Sequence, residues 1–76
     1  MFVTIEALET NVERPSPVDG EILVELVETP TLGQPVVAMA NGEVLHTTKV
    51  QGLRKEEDGW SVRTLNTLYR IRFLPH

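Results

Sequence analysis

Apolar and polar residues alternate with a period of two in short stretches parted by Pro, Gly and Asn, and helical periodicity is nearly absent. This pattern predicts an all-β chain. The first strand runs from Phe2 to Leu8, with Val3, Ile5 and Ala7 on one face and Thr4, Glu6 and Leu8 on the other. A short helix around Ile5–Val12 is the alternative there, because Ala7, Leu8 and Glu9 are good helix formers. Arg14 to Gly20 holds two prolines and Asp19-Gly20, the composition of a loop. Glu21 to Glu28 reads as the second strand, and its apolar residues on both parities predict a strand covered on both sides for part of its length. Thr29 to Pro35 ends it.

The strongest local signal is Asn41-Gly42, which suits the two left-handed positions of a type I′ turn. Val36–Ala40 and Glu43–Val50 then form a hairpin with Met39 opposite Val44 and Val37 opposite His46. Gln51 to Gly59 is polar, carries Arg54-Lys55-Glu56-Glu57-Asp58 between two glycines, and reads as a solvated loop. In Trp60 to Phe73 the apolar parity switches from even to odd numbers, which requires a tight turn at Asn66-Thr67 or a bulge. A turn there pairs Thr64 with Tyr69, Val62 with Ile71 and Trp60 with Phe73. The aromatic rings then share one buried face, and Arg63, Arg70 and Arg72 share the solvent face.

Five or six short strands in 76 residues point to one small SH3-like or OB-like barrel spanning 1–76. Hydrophobic residues make up 41% and charged residues 24%, enough for a packed core and unlike a disordered chain. The absence of cysteine excludes disulfides, thiolate chemistry and cysteine-rich zinc sites. Packing alone then holds the domain, and cores of this size supply only about 3–5 kcal/mol. The opening Met1-Phe2-Val3-Thr4 has no basic leader and no apolar run of membrane length, so a complete, cytoplasmic, soluble protein is expected.

Gly42-Glu43-Val44-Leu45-His46-Thr47-Thr48-Lys49-Val50 and Trp60-Ser61-Val62-Arg63-Thr64-Leu65-Asn66-Thr67-Leu68-Tyr69 carry a resemblance. Together they resemble a pattern in small uncharacterised bacterial and phage-related β-proteins, V-x-T-x-N-[S/T]-x-Y near the C-terminus. The resemblance covers about a third of the chain and implies a β scaffold in which Thr64, Asn66 and Tyr69 shape the phase change. It implies no activity.

The net charge of −4 conceals a gradient: residues 1–48 hold eight acids against Arg14, and residues 49–76 hold six bases against three acids. Two explanations remain open. The halves neutralise each other across neighbouring strands, with Glu6, Glu21 or Glu25 as partners, or the basic half is a binding face. Arg63, Arg70 and Arg72, extended by Arg54 and Lys55, are the candidate partner-binding residues. Catalysis finds little support: His46 is expected to be packed and hydrogen-bonded, His76 is terminal, carboxylates are scattered, and no phosphate-cradling glycine pattern occurs. Neither cofactor nor metal is expected. The expected role is a non-enzymatic module that binds another protein or associates with itself, with Phe2, Leu8, Val27 and Leu32 as surplus apolar residues for an interface. Nucleic-acid binding through the arginines is the alternative, and the pI near 5.0 weighs against it.

Overall fold

A computed structural model describes residues 1–10, 18 and 20–74. Its six strands are β1 (Phe2–Thr10), β2 (Glu21–Leu26), β3 (Pro35–Ala40), β4 (Glu43–Glu56), β5 (Gly59–Thr64) and β6 (Thr67–Phe73). Each pairs antiparallel with its successor, and β6 returns to β1 to close a barrel. The fold is all-β, consistent with the small SH3-like or OB-like barrel that the alternation predicts, with its strands in meander order. Among the described residues there is no helix.

β1 is a strand through Thr10, so its residues 5–10 do not form the alternative helix. A register shift between Ala7 and Glu9 lets Glu9 and Thr10 continue pairing with Leu68 and Thr67. The predicted loop over Arg14–Gly20 lies outside the described residues, apart from Val18 and Gly20. Val18 is buried and packs into the core.

The β3–β4 hairpin matches its expected register, Met39 to Val44 and Val37 to His46. Asn41 and Gly42 adopt φ of 52° and 79°, the left-handed pair of a type I′ turn. Further along, the register shifts between Pro35 and Val37. There the Val36 N–H donates to Thr47 Oγ1 at 3.0 Å instead of to a ladder carbonyl. This irregularity turns both Thr47 and Val50 inward and lets β4 change partners: Glu43 to Lys49 pair with β3, Val50 to Glu56 with β5.

Three expectations need correction. Gln51–Gly59 is not a loop, because β4 continues to Glu56 and only Glu57-Asp58 turn. Its polarity arises because this ribbon flares beyond the core, leaving Leu53, Arg54, Lys55 and Glu56 exposed. The phase change is a hairpin turn at Leu65-Asn66, one residue earlier than expected, which pairs Trp60 with Ile71 and Val62 with Tyr69. That slip of two residues along β6 preserves every face. It leaves Phe73 opposite Val3 at the rim and 38% exposed, while Trp60 and Tyr69 are buried. Finally, β2 is covered on one side only: Val24 and Leu26 point into the core, and Leu23 and Val27 are 58% and 56% exposed.

Among the described residues, asparagine 41 is the one non-glycine with positive φ, so the Leu65-Asn66 turn is not of the primed type that matches strand twist unaided. Threonines hold it. The buried Thr64 hydroxyl donates to the Thr67 carbonyl at 3.2 Å, and the Leu65 N–H donates to Thr48 Oγ1 at 3.2 Å. Thr67 Oγ1 meets Thr10 Oγ1 at 3.1 Å.

Candidate docking surfaces

Antiparallel pairing places side chains in rows across the outside of the barrel. On one flank Arg54 lies opposite Ser61, Ser61 opposite Arg70, Arg70 opposite Glu6, and Glu6 opposite Glu21. Arg63 and Arg72 stand on the same outer face of β5 and β6, across from Leu68 and Gly59. Four of the five candidate residues are therefore brought together. Lys55 is not among them: it has the opposite parity, faces Trp60, and sets its Nζ 4.2 Å from the Trp60 ring centroid and 4.6 Å from that of Phe73.

The arginines differ in how they are partnered. Arg63 meets the Glu9 carboxylate at 3.5 Å in a well-exposed pair screened by solvent, and Arg72 sets its Nε, itself buried on a side chain otherwise part-exposed, 3.7 Å from the exposed Asp58 carboxylate. These acids are not the Glu6, Glu21 or Glu25 expected from alternation. Glu6 does stand across from Arg70, yet within the described residues no carboxylate reaches the Arg70 or Arg54 guanidinium to ion-pair distance. The two acids Glu6 and Glu21 instead face each other.

The opposite flank is apolar. Phe2 is opposite Glu25, Glu25 opposite Met39, and Met39 opposite Val44, giving one outward row across β1, β2, β3 and β4. Phe2 and Val44 are 57% and 58% exposed and Met39 39%. Leu23 adds to it one step along β2, opposite Thr4. Single exposed apolar residues are ordinary, whereas several gathered on one outer face, here around Glu25, are the usual mark of an interaction surface. All four residues singled out in the sequence, Phe2, Leu8, Val27 and Leu32, are exposed. Phe2 belongs to this row; Val27 stands beside it, its N–H donating to the Val37 carbonyl at 3.1 Å. Leu8 sits on the β1 irregularity and Leu32 in the β2–β3 connection. Leu23, Met39 and Val44 are additions; for Leu23 the signal is the apolar residues on both parities of β2.

His46 is exposed on this outer face, opposite Val37, rather than packed inside, because Leu45 and Thr47 take the inward positions of β4. His76 lies outside the described residues. Among the described residues no cluster of three metal-ligating side chains occurs, and no helix is long and apolar enough to cross a membrane. No family model, no curated protein and no solved structure matches this chain.

Proposed function

We propose that the barrel is a non-enzymatic binding module that docks a protein on the outer face of β1, β2, β3 and β4. The observation that carries this reading is the apolar row Phe2, Met39 and Val44 with Leu23 beside it, held on a closed barrel where none of these side chains serves the core. Glu25 at the centre of the row favours a partner that presents a basic residue within an apolar surface.

A second reading rests on Arg54 and Arg70. They flank Ser61 in one row and have no ion-pair partner among the described residues, so they are available to phosphates. One experiment separates the two. The wild-type protein is used for affinity capture from host lysate, alongside Leu23→Glu/Met39→Glu and Arg54→Gln/Arg70→Gln variants, with both protein and nucleic acid identified. Proteins lost with the first variant and kept with the second support the docking face. Nucleic acid lost with the second variant in a salt-dependent way replaces it with the arginine reading.

A further inference from the structure

On the outer face of β4, β5 and β6 one short side chain stands between two long cationic ones. Arg54, Ser61 and Arg70 are direct cross-strand neighbours. Ser61 and Arg70 point outward because Trp60, Val62, Tyr69 and Ile71 take the inward positions of β5 and β6, and Arg54 shares the face of Ser61 across the ladder. Neighbouring strands lie about 4.8 Å apart, so the two arginines stand two such steps from each other with only a hydroxymethyl group between them. Their guanidinium groups have room to converge above the Ser61 hydroxyl. Among the described residues neither guanidinium nor the hydroxyl makes a side-chain hydrogen bond or ion pair, although Ser61 and Arg70 are half-buried. Two positive charges and a hydroxyl donor thus stand together without an acceptor.

We infer that this row binds a single phosphomonoester group. Such a group carries a charge of about −1.5 to −2 at pH 7 and three strong acceptor oxygens. Two unpaired guanidinium forks and one hydroxyl donor match that charge and that number of oxygens. A carboxylate brings one charge and two oxygens, and a phosphodiester brings one charge and two free oxygens, so either leaves part of the row unmatched. The acids around the row limit the ligand's length. Glu6 lies opposite Arg70 on its far side, Glu56 follows Arg54 two residues along β4, and Glu9 and Asp58 engage Arg63 and Arg72. A long polyanion laid across this face meets these carboxylates, whereas one compact group seated on Ser61 stays among the arginines. The inference rests on the arginine reading above for Arg54 and Arg70 and narrows its ligand to one group; it is independent of the apolar docking face on the opposite flank.

Titration of the full chain at physiological salt, followed by NMR of the arginine Nε–H groups and the Ser61 amide, tests it. The probes are glycerol phosphate, a glycine-flanked phosphoserine peptide, dimethyl phosphate and a thymidine oligonucleotide without terminal phosphates. Both monoesters are expected to shift these signals saturably and to bind about tenfold or more tighter than dimethyl phosphate. Arg54→Gln/Arg70→Gln is expected to stay folded by circular dichroism and to weaken this binding about tenfold or more, and Ser61→Ala to weaken it about threefold. Comparable affinity for the two monoesters identifies a free ester as the ligand. A peptide bound about tenfold tighter identifies a phosphorylated side chain. Monoester binding that survives the double variant overturns the site, and silence from every probe overturns it together with the arginine reading. An oligonucleotide bound more tightly than either monoester, and lost in the double variant, overturns the single-group inference alone and leaves the nucleic-acid reading standing.

Discussion

The ammonium group of Lys55 lies 4.2 Å above the Trp60 ring, where Phe73 meets the same indole edge to face at 5.0 Å and 67°. This lysine lids the flared end of the barrel. Its stem covers an indole that would otherwise border solvent, and its charge sits on the electron-rich faces of two rings.

Lys55→Ala should therefore lower stability by about 1 kcal/mol, within the span measured for cation–π contacts. Trp60 emission should shift to the red and become easier to quench with acrylamide. Unchanged emission would show that the lysine does not shield the indole. Trp60→Ala removes far more buried surface and should cost about 3–5 kcal/mol, close to the whole stability of a domain this small.

Two glycines should differ sharply in their tolerance of a methyl group. A Cβ on Gly59 would fall on the Ile71 carbonyl oxygen, and the residue's φ of 153° is one that side chains resist. Gly59→Ala should cost about 3 kcal/mol or more, combining strain with displacement of β6. Gly42 has φ of 79° and open space around it, so Gly42→Ala should cost only about 1 kcal/mol of backbone strain. Thermal melting of the two variants checks the order.

Thr64→Val keeps the shape of a buried side chain and removes its bond to the Thr67 carbonyl. The loss should be about 0.5–1.5 kcal/mol by urea denaturation, the net contribution of one hydrogen bond. Thr64→Ser, which keeps the hydroxyl, should lose less. Equal losses would mean that the methyl group rather than the hydrogen bond holds the turn.

The arginines should matter little to folding. Arg63→Gln breaks an exposed pair with Glu9 and should change stability by no more than about 1 kcal/mol. Arg72 is a different case: its Nε is buried and finds no hydrogen-bond acceptor among the described residues. Arg72→Met keeps the aliphatic packing and removes that unsatisfied donor, so it should be neutral or slightly stabilising. A loss above about 2 kcal/mol would show that the Asp58 contact carries more than an exposed pair normally does.

Which parts of the barrel could be read in the chain depended on whether a local signal set the register. Asn41-Gly42 admits one turn geometry, so the β3–β4 pairings from Ala40 with Glu43 to Val37 with His46 follow from it, whereas the shift that sets Pro35 against Lys49 does not. Leu65-Asn66 has no such chemistry. The hydrophobic pattern cannot distinguish registers two residues apart, since both bury the same face, and so it sets β5 two residues off against β6. Lys55 and Arg54 made the end of β4 look like a loop, because a ribbon that flares out of a core shows no alternation of burial. The pattern of β2 predicts Leu23 covered by the barrel; an exposed apolar face and a doubly buried strand look alike in one sequence, and only the other strands decide between them.

The joint between β1 and β6 also governs the order in which this chain can assemble. Every other ladder joins strands adjacent in sequence and can form as a local hairpin, whereas Ile5 meets Ile71 from opposite ends of the described chain. The entropy of bringing distant segments together is thus concentrated in one step. Trimming Ile5 to Val should act mainly on the unfolding rate if that joint zips after the transition state, and on the refolding rate if it is the nucleus.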